Sequence, residues 1–198
     1  AQLRHALVDR NGRLGGGGVI ADSTTSGADG GAATWFVNWA DFPSLVVLDN
    51  GDWVTHWLQK TSDGTYAYEI RVVRSSDRGR TWSAPVVPHT DGTATEHGFV
   101  AMLPAGGERV RLVWLDGRET AVGGHGHGGH DHGADAPMTL RTAVLDRAGN
   151  LHEEAELDAS TCSCCQTDAV RVGARSVFAY RDVAEGNLRN IHAIAHAD

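Results

Sequence analysis

Cys162, Cys164 and Cys165 place three thiols within four positions, and a glycine-rich tract upstream carries His125, His127, His130 and His132 with Asp131 and Asp135 beside them. Thiolate and imidazole are the donors that soft and borderline cations take, so these stretches point to a transition metal, copper or zinc. Imidazoles two or three residues apart on a flexible loop can wrap such an ion. The tract also reads as a solvated loop, because glycine makes ordering costly, or as a low-affinity delivery loop. The thiols also read as a disulfide, within the cluster or to a cysteine elsewhere, or as buried free thiols. With an odd count, at least one stays free or pairs outside the chain.

Acidic and basic side chains supply the other candidates. Glu96-His97 offers a carboxylate and an imidazole to join the thiols, or else strand-start hydrogen bonds. Asp41 and Glu96 form a candidate acid/base pair. Asp116-Gly117-Arg118 and Tyr180-Arg181-Asp182 bring Arg118, Tyr180 and Arg181 to where an anionic ligand could be gripped, with a structural Arg–Asp ion pair as the alternative. His56 reads as a core or inner-wall histidine. Trp35, Trp39, Trp53, Trp57 and Trp114 read as core.

Such scattered groups need a scaffold that gathers them. The chain has 198 residues, 25 of them glycine and six tryptophan, which favours short strands over helices. A net charge of −8 with scattered Lys and Arg argues against nucleic acid as a partner. No apolar run approaches the roughly 18 to 20 residues of a membrane span, and the segment opening at Ala1 is not a signal peptide.

Internal repetition sets the architecture. Leu3 to Leu14 aligns with Leu140 to Leu151 at seven of twelve positions, and Asp9, Asp77 and Asp146 recur 68 and 69 residues apart, with Asp198 52 further on. Each marks a corner turn. In Ser75 to Trp82 (SSDRGRTW), Asp77 can accept hydrogen bonds from the turn's own N–H groups, Gly79 can take positive φ, and Trp82 can bury beneath. Between corners the strands predicted are Leu45–Leu48, Trp53–Leu58, Ala67–Ser75 and one near Pro85–Pro88, followed by Phe99–Leu103, Val110–Leu115, Thr139–Leu145 and Leu151–Leu157. The last group is Asp168–Val172, Ser176–Tyr180 and Asn190–Ala195. Four-stranded antiparallel meanders in series read as propeller blades, with a sandwich as the alternative.

The expected fold is all-β, a portion of a six-bladed β-propeller of about three to four blades. It comprises a remnant at 1–40, blades at about 41–90 and 91–160, and an incomplete one at 161–198. Three blades leave strand edges open, so the remaining blades are expected from a longer chain or a second subunit. In a propeller the residues ahead of each inner strand share one axial mouth. That places Asp41-Phe42, Glu96-His97 and Cys164-Cys165-Gln166 together, with the loops Gln59 to Tyr66, Asp116 to Pro137 and Arg181 to Arg189.

SxDxGxTW at Ser75 to Trp82 is the Asp-box signature, and it resembles the bacterial-neuraminidase-repeat propellers, the sialidases and their relatives. The resemblance implies a carbohydrate or other small-molecule ligand. Sialidases carry an Arg-Ile-Pro segment whose arginine helps grip the substrate carboxylate; Asp41-Phe42-Pro43 resembles that segment, with Asp41 where the arginine stands. A carboxylate there repels a carboxylate substrate. EHGF (Glu96 to Phe99), WLDGR (Trp114 to Arg118), CSCCQTD (Cys162 to Asp168) and YRD (Tyr180 to Asp182) resemble an exported bacterial subgroup, which implies a periplasmic or secreted location. Two readings follow: a metal site at the funnel mouth, or a retaining exo-glycosidase of sialidase type. A binding propeller without catalysis is the third.

Overall fold

The computed structural model describes residues 1–24, 34–121 and 137–197. The tract bearing His125, His127, His130 and His132, and the fourth corner at Asp198, lie outside the described residues.

β1 (Gln2–Val8) and β2 (Leu14–Asp22) form an antiparallel hairpin. β3 (Leu45–Val47), β4 (Trp53–Lys60) and β5 (Tyr68–Ser75) form a meander, extended where Val72 and Val86 exchange N–H to carbonyl bonds, both 2.8 Å. β6 (His97–Pro104), β7 (Val110–Asp116), β8 (Met138–Leu145) and β9 (Leu151–Thr161) form a four-stranded meander. β10 (Asp168–Val172), β11 (Arg175–Ala184) and β12 (Leu188–Ala197) form a third.

The strands come in the predicted order, with two differences. The strand near Pro85–Pro88 shrinks to the Val86 pairing. The segment from Arg181 to Arg189 is mostly strand: Arg181 pairs with Ile191, Asp182 with Asn190 and Val183 with Arg189. Only the 3-10 turn Glu185–Asn187 separates β11 from β12, with Gly186 at φ 73. Backbone pairing there satisfies N–H and C=O groups whatever the polarity of the side chains, so a polar stretch hides a strand.

Alternation within the strands shows how the sheets stack. On β7, Val110, Leu112 and Trp114 join one core with Val54, Leu58, Ile70 and Val72, whereas Val113 and Leu115 join another with Phe178 and Tyr180. Successive side chains point to opposite faces, so every residue of β7 is buried between two neighbouring sheets. On β4, Trp57 faces a third core with Val73 and Ala21, toward the β1–β2 hairpin. The hairpin and the three meanders therefore stack face to face in chain order. β6 packs against both β3 and β10, which puts the leading strands of successive meanders side by side. Trp114 and Trp57 are core as expected, but Trp39 is 93% exposed, although Phe36 and Ala40 of the same loop pack against the first and second cores.

The corners repeat one hydrogen bond. Asp9, Asp77 and Asp146 each accept, through Oδ1, from the N–H four residues on: Arg13 at 2.9 Å, Thr81 at 2.9 Å and Asn150 at 2.8 Å. Gly79 takes φ 84 in the second corner. Trp82 is partly buried, edge-on to His5 at 6.0 Å.

Candidate functional site

Phe99 ties three distant segments together. β6 carries a bulge between Gly98 and Ala101, and Phe99 adopts φ 53, a conformation that costs a bulky residue on the order of 1–3 kcal/mol. The bulge aims the Phe99 N–H at Asp41 Oδ2, 2.8 Å away, and its carbonyl at the Thr167 hydroxyl, which donates at 2.5 Å. Asp41, Glu96-His97 and the segment after the cysteines are thus held around one residue.

Asp41 and Glu96 form a buried acidic pair around Tyr68. The Tyr68 hydroxyl donates to Glu96 Oε1 at 2.5 Å, and Asp41 Oδ1 has no hydrogen-bond partner among the described residues. Burial pushes Asp41 up to about 7, the Phe99 N–H acting the other way. Burial also raises Glu96 to about 7; its bond from Tyr68 opposes this and the neighbouring Asp41 charge adds to it. Tyr68 is itself held far above the usual phenol range by burial and by Glu96. A carboxyl pair that titrates near neutrality is suited to moving protons. Space for Asp41 exists because residue 98 is glycine: a Cβ there would lie 2.2 Å from Asp41 Oδ2.

A second group fills the loop leading into β6. His89 Nδ1 meets Asp91 Oδ1 at 2.7 Å, and the His89 and His97 rings stack with centroids 3.9 Å apart. Asp91 also accepts from Thr93 through both N–H and hydroxyl. Burial lowers His89 to about 4, so its ring is neutral near pH 7. Asp116, wholly buried, receives Arg118 Nε and Nη2 at 2.8 Å each and Trp114 Nε1 at 2.8 Å. Burial opposes the Asp116 charge, but the Arg118 bonds outweigh it and hold the carboxyl below its ordinary range. Arg118 is thereby a partner of Asp116, and it also reaches Glu154 at 3.1 Å.

The thiols sit where β9 ends. Thr161 pairs with Asp182 of β11, and the Cys162 N–H donates to the Arg181 carbonyl at 2.9 Å, so the tail of β9 leans on the next meander and turns sharply there. Cys162 Sγ lies 3.6 Å from Cys164 Sγ and 2.8 Å from Cys165 Sγ. Arg189 Nη1 donates to Cys162 Sγ at 3.4 Å and Arg181 Nη1 to Cys165 Sγ at 3.6 Å. Burial disfavours a Cys162 thiolate, but bonds from Cys165 and Cys164 and the Arg189 charge outweigh it, lowering the thiol. Cys165 is raised by burial and by its bond with Cys162, and Cys164 is pushed up to about 11 by the same two causes. Of the three thiols, Cys162 is the one these contacts bias toward the thiolate, with two thiols and two guanidinium groups around it.

Of the residues singled out from sequence, Asp41 joins Glu96, and Cys162, Cys164 and Cys165 join Arg181. His97 belongs with His89 and Asp91 rather than to the thiol set. The Tyr180 hydroxyl donates to Asp158 Oδ2 at 2.5 Å, beside a loose group of Asp158, Asp182 and His192. Tyr68, His89, Asp91 and Arg189 were not foreseen. The spacing of His89, Asp91 and His97 around Gly92 was a legible signal; Tyr68 and Arg189 had none, since each looks like an ordinary strand residue.

Two solved structures share this arrangement of strands. Hadza microbial sialidase Hz136 superposes with a TM-score of 0.54 at 19% identity, over 80% of this chain and 35% of that one. An ulvan lyase described as a new polysaccharide lyase family superposes with a TM-score of 0.51 at 13% identity, over 97% of this chain and 46% of that one. The fold is part of a sialidase-type β-propeller. The chain spans less than half the length of either propeller, and at these identities the likeness is one of fold. No protein-family model and no curated protein matches the sequence. No helix among the described residues is long and apolar enough to cross a membrane.

Proposed function

We propose that this propeller binds a transition metal, copper or zinc, at its funnel mouth through Cys162, Cys164 and Cys165. Support comes from one observation above all: the three sulfurs lie within 4.8 Å of one another on a single turn, with Cys162 already biased toward thiolate. Ligands on a turn pinned at both ends by Arg181 and Thr167 need little ordering to close on a soft ion. His125, His127, His130 and His132 then act as an accessory that loads the ion. The remaining blades, from the same chain or a partner subunit, complete the funnel, and a periplasmic or secreted location fits this role.

Elemental analysis after copper(I) loading tests the proposal. Cys164→Ser combined with Cys165→Ser is expected to abolish one equivalent of tightly held copper, while removal of residues 125–132 only weakens uptake. Unchanged copper in the double variant rules the assignment out.

A second reading rests on the Asp41–Tyr68–Glu96 group: a retaining exo-glycosidase acting on a carbohydrate, with the raised carboxyls as acid and base. The fold shared with a sialidase supports it, and Asp41 in place of an arginine weighs against an acidic sugar. The full-length protein should then release fluorophore from a fluorogenic glycoside, and Glu96→Gln should cut the rate by about 100-fold or more. Absence of turnover on sialosides and neutral glycosides alike removes this reading.

A further inference from the structure

We infer that His89, Asp91 and His97 form a second cation site, for a borderline divalent ion of the zinc type, separate from the thiols. One nitrogen or oxygen from each of the three lies within 4.8 Å of the others, and the group is built on a single loop, His89-Thr90-Asp91-Gly92-Thr93-Ala94-Thr95-Glu96-His97.

Second contacts of the imidazoles prepare their nitrogens for a metal. His97 Nδ1 lies 3.2 Å from the Thr95 carbonyl and 3.4 Å from the Tyr68 carbonyl. Carbonyls only accept, so the Nδ1 proton is committed to them and Nε2 carries the free lone pair. This is the tautomer that metal-binding histidines hold through a backbone carbonyl. His97 is 0% exposed, and its Nε2 lies 3.2 Å from Asp91 Oδ2 and 3.7 Å from Asp116 Oδ1 with hydrogen-bond geometry to neither. His89 is 6% exposed, and its Nε2 likewise has no hydrogen-bond partner among the described residues. Arg118 Nη2, 3.6 Å from Asp91 Oδ1, already offsets part of the carboxylate charge, and the two unpaired imidazole nitrogens present lone pairs that a cation would satisfy.

Asp116 is saturated by Arg118 and Trp114 and so contributes charge rather than a ligand. Asp91 is fixed in place by Thr93, whose own hydroxyl meets Thr95 Oγ1 at 2.7 Å, so the loop is ordered before any ion arrives. Two imidazoles and one carboxylate form a donor set suited to zinc. A turn of the His89 ring out of its stack brings its nitrogen to the ion, because a metal must lie near the plane of each ring that binds it.

The experiment uses the whole chain with Cys162, Cys164 and Cys165 changed to serine and His125, His127, His130 and His132 to asparagine, so that neither the thiols nor the tract contributes. Titration with zinc chloride followed by calorimetry, and with cobalt chloride followed by visible absorption, should show one equivalent bound with no thiolate charge-transfer band. His89→Gln and Asp91→Asn should each weaken zinc at least ~10-fold, and His192→Gln should leave it unchanged. Nitrogen-15 spectra should show His97 Nε2 shifting on zinc addition. No zinc binding in the background chain, or affinity unchanged within about threefold in both His89→Gln and Asp91→Asn, overturns the site. Neither result bears on the thiols, which this chain lacks.

Discussion

Gly98→Ala is expected to lower the stability of the chain by roughly 3 kcal/mol and to scatter the acidic pair, the largest loss from any single methyl group at this site. The added Cβ would meet Asp41 Oδ2 at 2.2 Å and the Tyr68 ring at 3.0 Å, both buried. Tyr68 is packed within the first core and cannot withdraw, so Asp41 must leave. Its departure strips the Phe99 N–H of its acceptor at a bulge that is already strained. Gly15→Ala is the control: it lies in a strand, a Cβ there meets nothing within 4 Å, and the change should stay within about 0.5 kcal/mol. Urea unfolding of both variants checks this, and equal midpoints would show that Asp41 is not confined by residue 98.

Asp41→Asn is expected to grow more stable, relative to the unsubstituted chain, as pH rises from 3.8 to about 7, and to level off above. The Asp41 carboxyl is raised from 3.8 to about 7, chiefly by burial. Between those values the folded chain keeps a proton that the unfolded chain has released, so the contribution of Asp41 is full at low pH and is lost as pH rises. At ~1.4 kcal/mol per pKa unit the loss is on the order of 4 kcal/mol. Glu96, raised from 4.5 to about 7, acts in the same direction. His56 and His89 act the opposite way: burial lowers each from 6.5 to about 4, so the stability of their neutral rings is lost as pH falls through that interval. The opposed pairs overlap across most of the range, and the unsubstituted chain should show a shallow profile. The difference between the two chains is therefore the measurement. Asparagine keeps an oxygen for the Phe99 N–H, so the curves should start close near pH 4 and separate by about 3 kcal/mol near pH 8. A separation independent of pH would mean that Asp41 is ionised throughout.

What was legible in the chain follows from local physics. Period-two alternation marked β4 through β8 because each strand face meets a different core, and the corner aspartates announced their turns because a short carboxylate bonds backbone only a few residues away. The thiols were visible as a group because they are neighbours in the chain. Partnership across sheets was decided elsewhere. A bulge at Gly98-Phe99 chose Asp41 and Thr167 as partners, and the long tail of β9 brought Arg181 and Arg189 onto the thiols. The loop into β6 gave His97 to His89 and Asp91 instead of to sulfur. Such contacts depend on strand register and on how sheets lean on one another, and no spacing along a single segment encodes them: the residues come from meanders whose separation in sequence says nothing about the angle at which they pack.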